Sequence, residues 1–328
     1  MELYHCQTEK LKDYKGVGNA PEDYDEYWSR AKKEMEAMPV NYRLVPAEFK
    51  CASAETYDLY FTGTGGAIVH CQFLRPKSPC PEKSSKQKKL PAVVMFHGYW
   101  TNSGDWSGKL GYISEGYAVL AMDVRGQGGT SFDNGVYRGN TQSGHIIRGL
   151  EDDSPDKLFY RNVFLDTAQA VKVLASMDDI DSSAIFATGA SQGGALTVAC
   201  AALSPIVKAV APVYPYLCDF QGVYQNSFSG STYEEMTWFF RQRDPTHQNE
   251  DFFFNRLGYI DLKNITKYIT CDVLWFCALS DNICPPFAQM AAYNGIKSKK
   301  EVVWYPEYSH EWLPFSGDKI LDFFREHL

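Results

Sequence analysis

The chain has 328 residues, a length that allows one large domain or two average ones, and with 45% hydrophobic and 22% charged residues it should bury a full core. Its formal net charge of −8 argues against nucleic acid and anionic membranes as partners, since both attract basic surfaces. The nine cysteines show no C-x-x-C or metal-finger spacing, and we expect reduced thiols in a cytoplasmic protein. We expect neither a signal peptide nor a membrane span, because the sequence has no leader pattern and no long apolar run.

The first 90 residues predict a helix followed by a β-hairpin extension. Apolar residues at helical spacing from Tyr24 to Met35 predict a helix over residues 21–38. Alternating apolar and polar residues predict strands at the start of the sheet, and a glycine-rich turn at 63–66 joins the second to the third; the three strands cover 42–51, 54–61 and 67–74. The lysine-rich segment 78–89 predicts a solvated surface loop.

From residue 92 onward, short buried strands alternate with helices. The predicted strands cover 92–96, 118–122, 185–188, 207–213, 273–278 and 301–305. One helix is predicted to begin at Ser154, and two others cover 288–294 and 320–325. This alternation predicts an α/β fold with a mostly parallel central sheet and helices on both faces. We expect residues 1–328 to form a single domain.

One segment interrupts the alternation, after the strand that we count as the sixth of the core. Residues 216–272 contain no clear strand, and helices are predicted only at 233–241 and 260–267, with aromatic-rich linkers such as 252–254. We interpret the segment as an insertion within the domain that forms a cap or a subunit contact.

The most informative motif is the run that places Ser191 between an apolar strand and a helix rich in small residues. Gly189 and Gly193 complete the pattern G-x-S-x-G, and they remove the side chains that a sharp strand-to-helix turn would crowd. This is the nucleophile elbow of the α/β-hydrolase fold. The N-terminus of the following helix would place a partial positive charge where an oxyanion forms.

The partners of Ser191 follow from the chain order of this fold, in which the serine precedes an acid and then a histidine. His310 comes directly after the last strand, and we predict that it is the general base. Asp281 follows the penultimate strand and is the predicted acid, with Asp219 as the alternative. His247 falls within the insertion and His327 near the terminus, and neither is favoured.

Two backbone N–H groups are needed to bind the oxyanion. We assign one to Gln192, the residue after the nucleophile, and the other to Tyr99 in the loop after the strand 92–96. The glycine-rich segment 123–131 lacks both the dinucleotide and the P-loop patterns, so we interpret Arg125 as a support of the loops below the site. No metal-ligand spacing occurs, and we predict neither a metal nor a cofactor.

These residues together resemble the acetyl xylan esterase/cephalosporin-C deacetylase family, carbohydrate esterase family 7. The resemblance rests on four motifs, which are His97-Gly98-Tyr99, Arg125-Gly126-Gln127-Gly128, Gly189-Ala190-Ser191-Gln192-Gly193 and His310-Glu311. It implies deacetylation of short acetylated sugars and of cephalosporin C, and a homohexamer with its sites facing an internal cavity. It also implies supporting roles for Gln127 and Glu311. The segments 100–103 and 144–149 depart from the family pattern.

We therefore expect a serine esterase in which Trp100, beside Tyr99, contacts the substrate. Two alternatives remain on the same fold, a general short-chain carboxylesterase and an oligopeptidase-type hydrolase. A third is a non-catalytic scaffold protein, against which the intact set of Ser191, Asp281 and His310 argues.

Overall fold

The computed structural model describes residues 8–77, 89–138, 143–226 and 232–328, so nearly all of the lysine-rich loop predicted at 78–89 lies outside the described residues. Within them, nine strands form one sheet. The strands are β1 (Tyr42–Pro46), β2 (Ala54–Thr62), β3 (Ile68–Pro76), β4 (Leu90–Phe96), β5 (Ala118–Met122), β6 (Ile180–Ala190), β7 (Val207–Val213), β8 (Asp272–Ala278) and β9 (Lys300–Tyr305).

Helices connect or flank these strands. They are α1 (Tyr24–Ala37), α2 (Leu110–Ser114), α3 (Phe159–Ala175), α4 (Gln192–Leu203), α5 (Phe220–Gln225), α6 (Glu234–Gln242), α7 (Glu250–Gly258), α8 (Leu262–Ile265), α9 (Pro286–Gly295) and α10 (Ser316–Arg325). Short 3-10 helices cover Thr64–Gly66, Trp106–Lys109, Pro155–Lys157 and Thr266–Tyr268.

The sheet confirms the predicted mostly parallel architecture. Its strand order is β1-β2-β3-β5-β4-β6-β7-β8-β9, and only the pairings of β1 with β2, β2 with β3 and β3 with β5 are antiparallel. From β4 onward, all strands therefore end at the same edge of the sheet, where loops of different parts of the chain meet.

Helices cover both faces of the sheet, as predicted. On one face, α1, α3 and α4 contribute to a large core that includes Trp28, Phe164 and Leu196. On the other face, α2 and α10 close a smaller core, in which the rings of Phe186 and Phe324 lie 4.9 Å apart. The strands between them are nearly continuous apolar runs because both of their faces are buried.

The helix predicted to start at Ser154 begins later. Ser154 caps only the 3-10 helix Pro155–Lys157, by accepting a hydrogen bond from the Asp156 N–H group, and the backbone then becomes extended at Leu158. The N–H group of Phe159 donates to the carbonyl oxygen of Arg148, 3.0 Å away, and α3 starts there. A tertiary hydrogen bond therefore replaces the first turn that local capping predicts.

Two other predicted boundaries differ from the structure. Strand β1 ends at Pro46 rather than at residue 51, and one further hydrogen bond to β2, from the Ala47 N–H group to the carbonyl oxygen of Thr56 at 3.0 Å, follows it. The aromatic run at 252–254, predicted as a linker, lies within α7. The ring of Phe253 packs 4.8 Å from that of Phe240, so burial stabilises α7 despite its aromatic composition.

Between β7 and β8 the described residues contain helices α5 to α8 and no strand, as predicted for this segment. None of the helices in the part of the chain that the structure describes combines the length and the apolar character that crossing a bilayer requires.

Candidate active site

The turn between β6 and α4 holds Ser191 in a backbone conformation that few non-glycine residues adopt, with φ 59° and ψ −119°. A Cβ atom at Gly189 would lie 2.5 Å from the carbonyl oxygen of Phe96, and one at Gly193 would lie 2.1 Å from the same oxygen. Strand β4 thus approaches the turn so closely that only glycine fits on either side of the serine. This close approach is the physical basis of the G-x-S-x-G pattern.

The structure brings Ser191, His310 and Asp281 into one hydrogen-bonded chain. Nε2 of His310 lies 3.0 Å from Oγ of Ser191, and Nδ1 lies 2.9 Å from Oδ2 of Asp281. The other carboxylate oxygen of Asp281 accepts the N–H groups of Ile283 and Cys284, both at 2.8 Å. The Asp281 side chain is fully buried, whereas that of His310 is 20% exposed, so the chain runs from a fixed carboxylate to an accessible hydroxyl.

The alternative acid, Asp219, has different partners. Its carboxylate accepts hydrogen bonds from Tyr14 at 2.7 Å, from the Val17 N–H group at 2.8 Å and from Lys263 at 2.8 Å. These contacts tie the N-terminal segment to α8, which is a structural role. The carboxylate that hydrogen-bonds to His310 belongs to Asp281.

The other two histidines late in the sequence lie in other contacts. His327 lies 3.0 Å from Asp272, at the opposite end of β8 from Asp281. The ring of His247 stacks on that of Phe240 at 4.2 Å between centroids.

The loop after β4 carries the predicted oxyanion donor Tyr99. A Cβ atom on the preceding residue, Gly98, would lie 4.0 Å from Cβ of Ser191, so this loop passes directly over Ser191. Trp100, the predicted substrate contact, is 60% exposed and has a φ of 65°. Its ring lies 5.5 Å from that of Tyr99 and 6.2 Å from that of His145.

His97, at the start of the same loop, uses both ring nitrogens on the backbone. Nε2 accepts the N–H group of Val124 at 2.9 Å, and Nδ1 donates to the carbonyl oxygen of Gly98 at 2.8 Å. Burial lowers its pKa, so the ring stays neutral and both bonds persist. His97 joins the ends of β4 and β5 below the site.

The side chain of Gln192, the other predicted oxyanion donor, is completely buried. It forms a reciprocal amide pair with Gln127, in which the two hydrogen bonds measure 2.7 and 3.0 Å. The hydroxyl of Tyr160 also lies 3.0 Å from Oε1 of Gln192. The predicted support by Gln127 is therefore a direct contact with the first residue of α4.

Arg125 and Glu311 are the other two predicted supports of the site. Arg125 is buried and forms two 2.6 Å hydrogen bonds with Asp166 of α3, which anchor the loop after β5 to that helix. Glu311 accepts the N–H group of Ser309 at 3.0 Å, and this bond closes the turn that carries His310.

Two residues beside the triad were missed from the sequence. The ring of Tyr214 packs 4.7 Å from the imidazole of His310, and the buried sulfur of Cys284 lies within 4.8 Å of ligand atoms of both Asp281 and His310. Burial raises the pKa of Cys284 well above its usual value, so the sulfur stays protonated. The only local signal in the sequence is position: Tyr214 directly follows β7, and Cys284 lies three positions after Asp281.

Among the described residues, Asp281, Cys284 and His310 form the one group with ligand atoms close enough for a metal ion, all within 4.8 Å of one another. An ion held there would take a ring nitrogen that His310 uses for Asp281 or Ser191. The residues at this site therefore suit either a metal or the hydrogen-bonded chain, but not both at once.

Comparison with known proteins agrees with this geometry. The acetyl xylan esterase (AXE1) family model matches residues 1–327. The chain belongs to the acetyl xylan esterase family. In the structure of acetyl xylan esterase 1 from a Thermoanaerobacterium species, 46% of residues are identical, 97% of this chain and 98% of that chain are covered, and the TM-score is 0.92.

Two more distant relatives agree. The structure of the acetyl xylan esterase from a Paenibacillus species shares 33% identity with a TM-score of 0.91, and the match covers 98% of this chain and 99% of that one. The acetyl esterase Axe7A of Xylanibacter ruminicola is 26% identical over 302 residues, which are 88% of this chain. The match spans 63% of that curated relative's length. The acetyl xylan esterase family that the motifs predicted is thus confirmed.

Proposed function

We propose that this protein is a serine carboxylesterase that removes acetyl groups from acetylated xylo-oligosaccharides and similar small esters. The observation that carries the proposal is the unbroken hydrogen-bonded chain Ser191–His310–Asp281 at the elbow of a member of the acetyl xylan esterase family. Nucleophile and base lie within hydrogen-bond reach of each other, and the base is oriented by a third group.

In the acylation step, Oγ of Ser191 attacks the acetyl carbonyl carbon while Nε2 of His310 takes the hydroxyl proton. Asp281 keeps the imidazole in the tautomer whose Nε2 is free to accept, and it stabilises the imidazolium that forms. The N–H groups of Tyr99 and Gln192 bind the oxyanion; each donor is typically worth about 3 kcal/mol of barrier. When the intermediate collapses, His310 returns its proton to the departing sugar oxygen.

In the deacylation step, a water molecule replaces the sugar. His310 takes a proton from the water, whose oxygen attacks the acetyl carbon of the acyl-enzyme. Collapse of the second intermediate releases acetic acid and restores the Ser191 hydroxyl, with the proton coming from His310. Every atom and proton is accounted for by these side chains and water, so this mechanism uses no cofactor.

For the substrate, we propose an acetyl ester whose alcohol is a sugar or a cephalosporin. Trp100 supports this, because an exposed indole ring at the rim offers a flat apolar face to a sugar ring or a fused bicycle. Trp100→Ala should raise KM for acetylated xylo-oligosaccharides more than for p-nitrophenyl acetate, since only the larger alcohol reaches the rim.

The deciding experiment is hydrolysis of p-nitrophenyl esters from acetate to octanoate by the wild type and Ser191→Ala. We expect activity on acetate and propionate only, lost in the variant, together with acetate release from acetylated xylo-oligosaccharides and cephalosporin C. Ser183→Ala is the matched control, since Ser183 lies at the distant start of β6 and hydrogen-bonds to Asp181.

The same series separates the alternative functions. Activity that rises with chain length would identify a general carboxylesterase, and cleavage of acyl-peptide amides an oligopeptidase-type enzyme. If a fluorophosphonate probe labels Ser191 in neither the wild type nor Ser183→Ala, the scaffold interpretation would replace ours.

We further propose a homohexamer working in the cytoplasm. The hexamer is supported by the family resemblance, and exposed apolar side chains such as Trp312, Phe315 and Phe132 offer surface for it. The compartment is supported by the described cysteines, all of which are free. Light scattering coupled to size-exclusion chromatography measures the oligomeric state, and fractionation of the source cells shows the compartment.

We propose that residues 216–272 are an insertion within a single domain of residues 1–328, serving as a cap or a subunit contact. The cap role is supported by the buried Glu235, which accepts the N–H group of Ile147 at 3.2 Å. Ile147 lies two residues after His145, which contacts the Tyr99 hydroxyl. Glu235→Gln should raise KM for sugar esters in a cap, whereas a subunit contact would instead shift the oligomeric state.

A further inference from the structure

Gly144 is held at both of its backbone groups by tyrosine hydroxyls. Its N–H group donates to the hydroxyl oxygen of Tyr99 at 2.6 Å, and its carbonyl oxygen accepts the hydroxyl hydrogen of Tyr160 at 2.9 Å. The residue has a φ of 117°, and a Cβ atom there would lie 2.3 Å from the carbonyl oxygen of Thr232. Only glycine can occupy this position between the two rings.

The same Tyr160 hydroxyl reaches the other side of the site. Its hydrogen is shared between Gly144 and Oε1 of Gln192, which lies 3.0 Å away. Tyr99 and Gln192 are 93 residues apart in the sequence, and they belong to different elements, the loop after β4 and the start of α4. A single chain of hydrogen bonds, Tyr99–Gly144–Tyr160–Gln192, therefore joins the two residues whose N–H groups bind the oxyanion in our mechanism.

We propose that Tyr160 is a positioning residue that sets the spacing of the two oxyanion donors. This inference rests on the proposed function, and it adds a residue that touches neither the substrate nor the triad. Two donors on separate elements bind an oxyanion well only if their separation is held to a fraction of an ångström. Tyr160 supplies that constraint from α3, which carries neither donor.

The surroundings of Tyr160 suit a rigid strut. The side chain is completely buried, and its ring packs 5.4 Å from that of Phe159 and 6.2 Å from that of Phe164. Burial raises the pKa of Tyr160 well above its usual value, so the hydroxyl keeps the proton that it donates.

Tyr99, at the other end of this hydrogen-bonded chain, is equally fixed. The Tyr99 hydroxyl lies 3.0 Å from Nδ1 of His145, to which it donates. Burial lowers the pKa of His145 to about 4, so the ring nitrogen is unprotonated and able to accept at neutral pH.

The test is a kinetic comparison of Tyr160→Phe with Tyr117→Phe on p-nitrophenyl acetate. Both variants lose one buried hydroxyl and keep the ring, but the Tyr117 hydroxyl has no hydrogen-bond partner and lies on the other face of the sheet. We expect Tyr160→Phe to lower kcat about 10- to 100-fold with KM within about twofold, because oxyanion binding acts in the transition state. Tyr117→Phe should match the wild type.

Tyr99→Phe, which breaks the other end of the chain, tests whether the links act in series. The double variant should then be about as slow as the slower single variant, whereas losses that multiply would mean independent effects and overturn the proposal. Wild-type kcat in Tyr160→Phe, or a rise in KM alone, would overturn it as well. If Tyr160→Phe does not fold, Tyr99→Phe must show the same fall in kcat at constant KM.

The Ser191→Ala variant separates failure of this inference from failure of the proposed function. Loss of activity in Ser191→Ala with wild-type kinetics in Tyr160→Phe would reject only the positioning role. Wild-type activity in Ser191→Ala would reject the serine mechanism on which both depend.

Discussion

Two histidines in this chain are held in almost the same way, and only one of them faces a hydroxyl group. Nδ1 of His310 lies 2.9 Å from a carboxylate oxygen and Nδ1 of His70 lies 2.7 Å from another. The difference is at Nε2, which meets the Ser191 hydroxyl at 3.0 Å in the first case and the carboxylate of Asp58 at 2.8 Å in the second.

In our proposal, this difference separates the general base, His310, from a structural cation, His70. Burial opposes a charge on His70, but the hydrogen bonds to Asp123 and Asp58 outweigh it and raise the pKa of the imidazole. A ring held protonated between two carboxylates cannot take a proton from a nucleophile. An aspartate–histidine pair is therefore insufficient for catalysis; the group on the second nitrogen and its access to substrate decide the chemistry.

The largest expected effect comes from replacing the two histidines in turn by glutamine. His310→Gln should lower kcat/KM for p-nitrophenyl acetate by about 10⁴- to 10⁶-fold, because no group remains to accept the serine proton. His70→Gln should leave kcat within about threefold, measured per molecule that a fluorophosphonate labels. A comparable loss of kcat in both variants would break the distinction.

Asp281→Asn tests the carboxylate of the first pair. We expect kcat to fall about 10⁴-fold, because the amide favours the wrong imidazole tautomer and cannot stabilise the imidazolium. Asp219→Asn is the control and should keep kcat per labelled molecule. It should lower the free energy of unfolding by about 3 kcal/mol, since it leaves the buried Lys263 without a full countercharge. If the two kinetic results were exchanged, Asp219 would be the acid.

His70→Gln should act on stability. Removing the imidazolium leaves Asp58 facing Asp123, and we expect the free energy of unfolding at pH 6 to fall by about 2 to 3 kcal/mol in urea titrations. Because the folded pKa of His70 is raised, its contribution is complete below about pH 6.5 and is lost as the pH rises through the folded value. The variant should therefore lose the wild type's decline in stability on the alkaline side of pH 6.5. If the stability of His70→Gln declined above pH 6.5 as much as that of the wild type, His70 would not be the protonated group responsible.

On the acid side, the same cluster depends on Asp123. Burial opposes its charge, but hydrogen bonds from His70, Thr130 and Ser103 outweigh this and lower the pKa of the carboxyl to about 2. Its contribution to stability is present above the unfolded value near 4 and is lost as the pH falls toward 2.

His145 sharpens the comparison as a third, buried histidine, one that accepts a hydrogen bond from the Tyr99 hydroxyl. With its pKa lowered to about 4 by burial, it is neutral in both folded and unfolded chains above pH 6.5, and only the unfolded chain binds a proton between pH 6.5 and 4. The free energy of unfolding should therefore fall by about 1 kcal/mol for each unit by which the pH is lowered from 6.5 to 4. His145→Asn should reduce that slope, since asparagine tolerates the φ of 57° and offers an oxygen acceptor without titrating. Equal slopes would contradict the assignment.

The sequence predicted those features that depend on local patterns. The alternation of strands and helices predicted the mostly parallel sheet, and the glycines around Ser191 predicted a turn that a Cβ atom at either position would obstruct. His310 was favoured by its place after the last strand. Asp281 and Asp219, by contrast, both follow strands that end at the same edge, so the sequence predicted Asp281 as the acid but kept Asp219 as the alternative. In the structure, Asp281 is the one that contacts His310, whereas Asp219 contacts Lys263.

What the sequence by itself determined is the backbone frame of the site, because strand periodicity, glycine sterics and chain order act over a few residues. Only the tertiary structure decided which side chains meet within that frame. Tyr160, Gly144 and Tyr214 lie far from Ser191 in the sequence, and no short pattern marks them. They reach the site only through tertiary packing, in which the Tyr160 hydroxyl contacts Gly144 and the ring of Tyr214 contacts His310. Hydrogen bonding and ring contacts inside a packed core are decided by such long-range contacts.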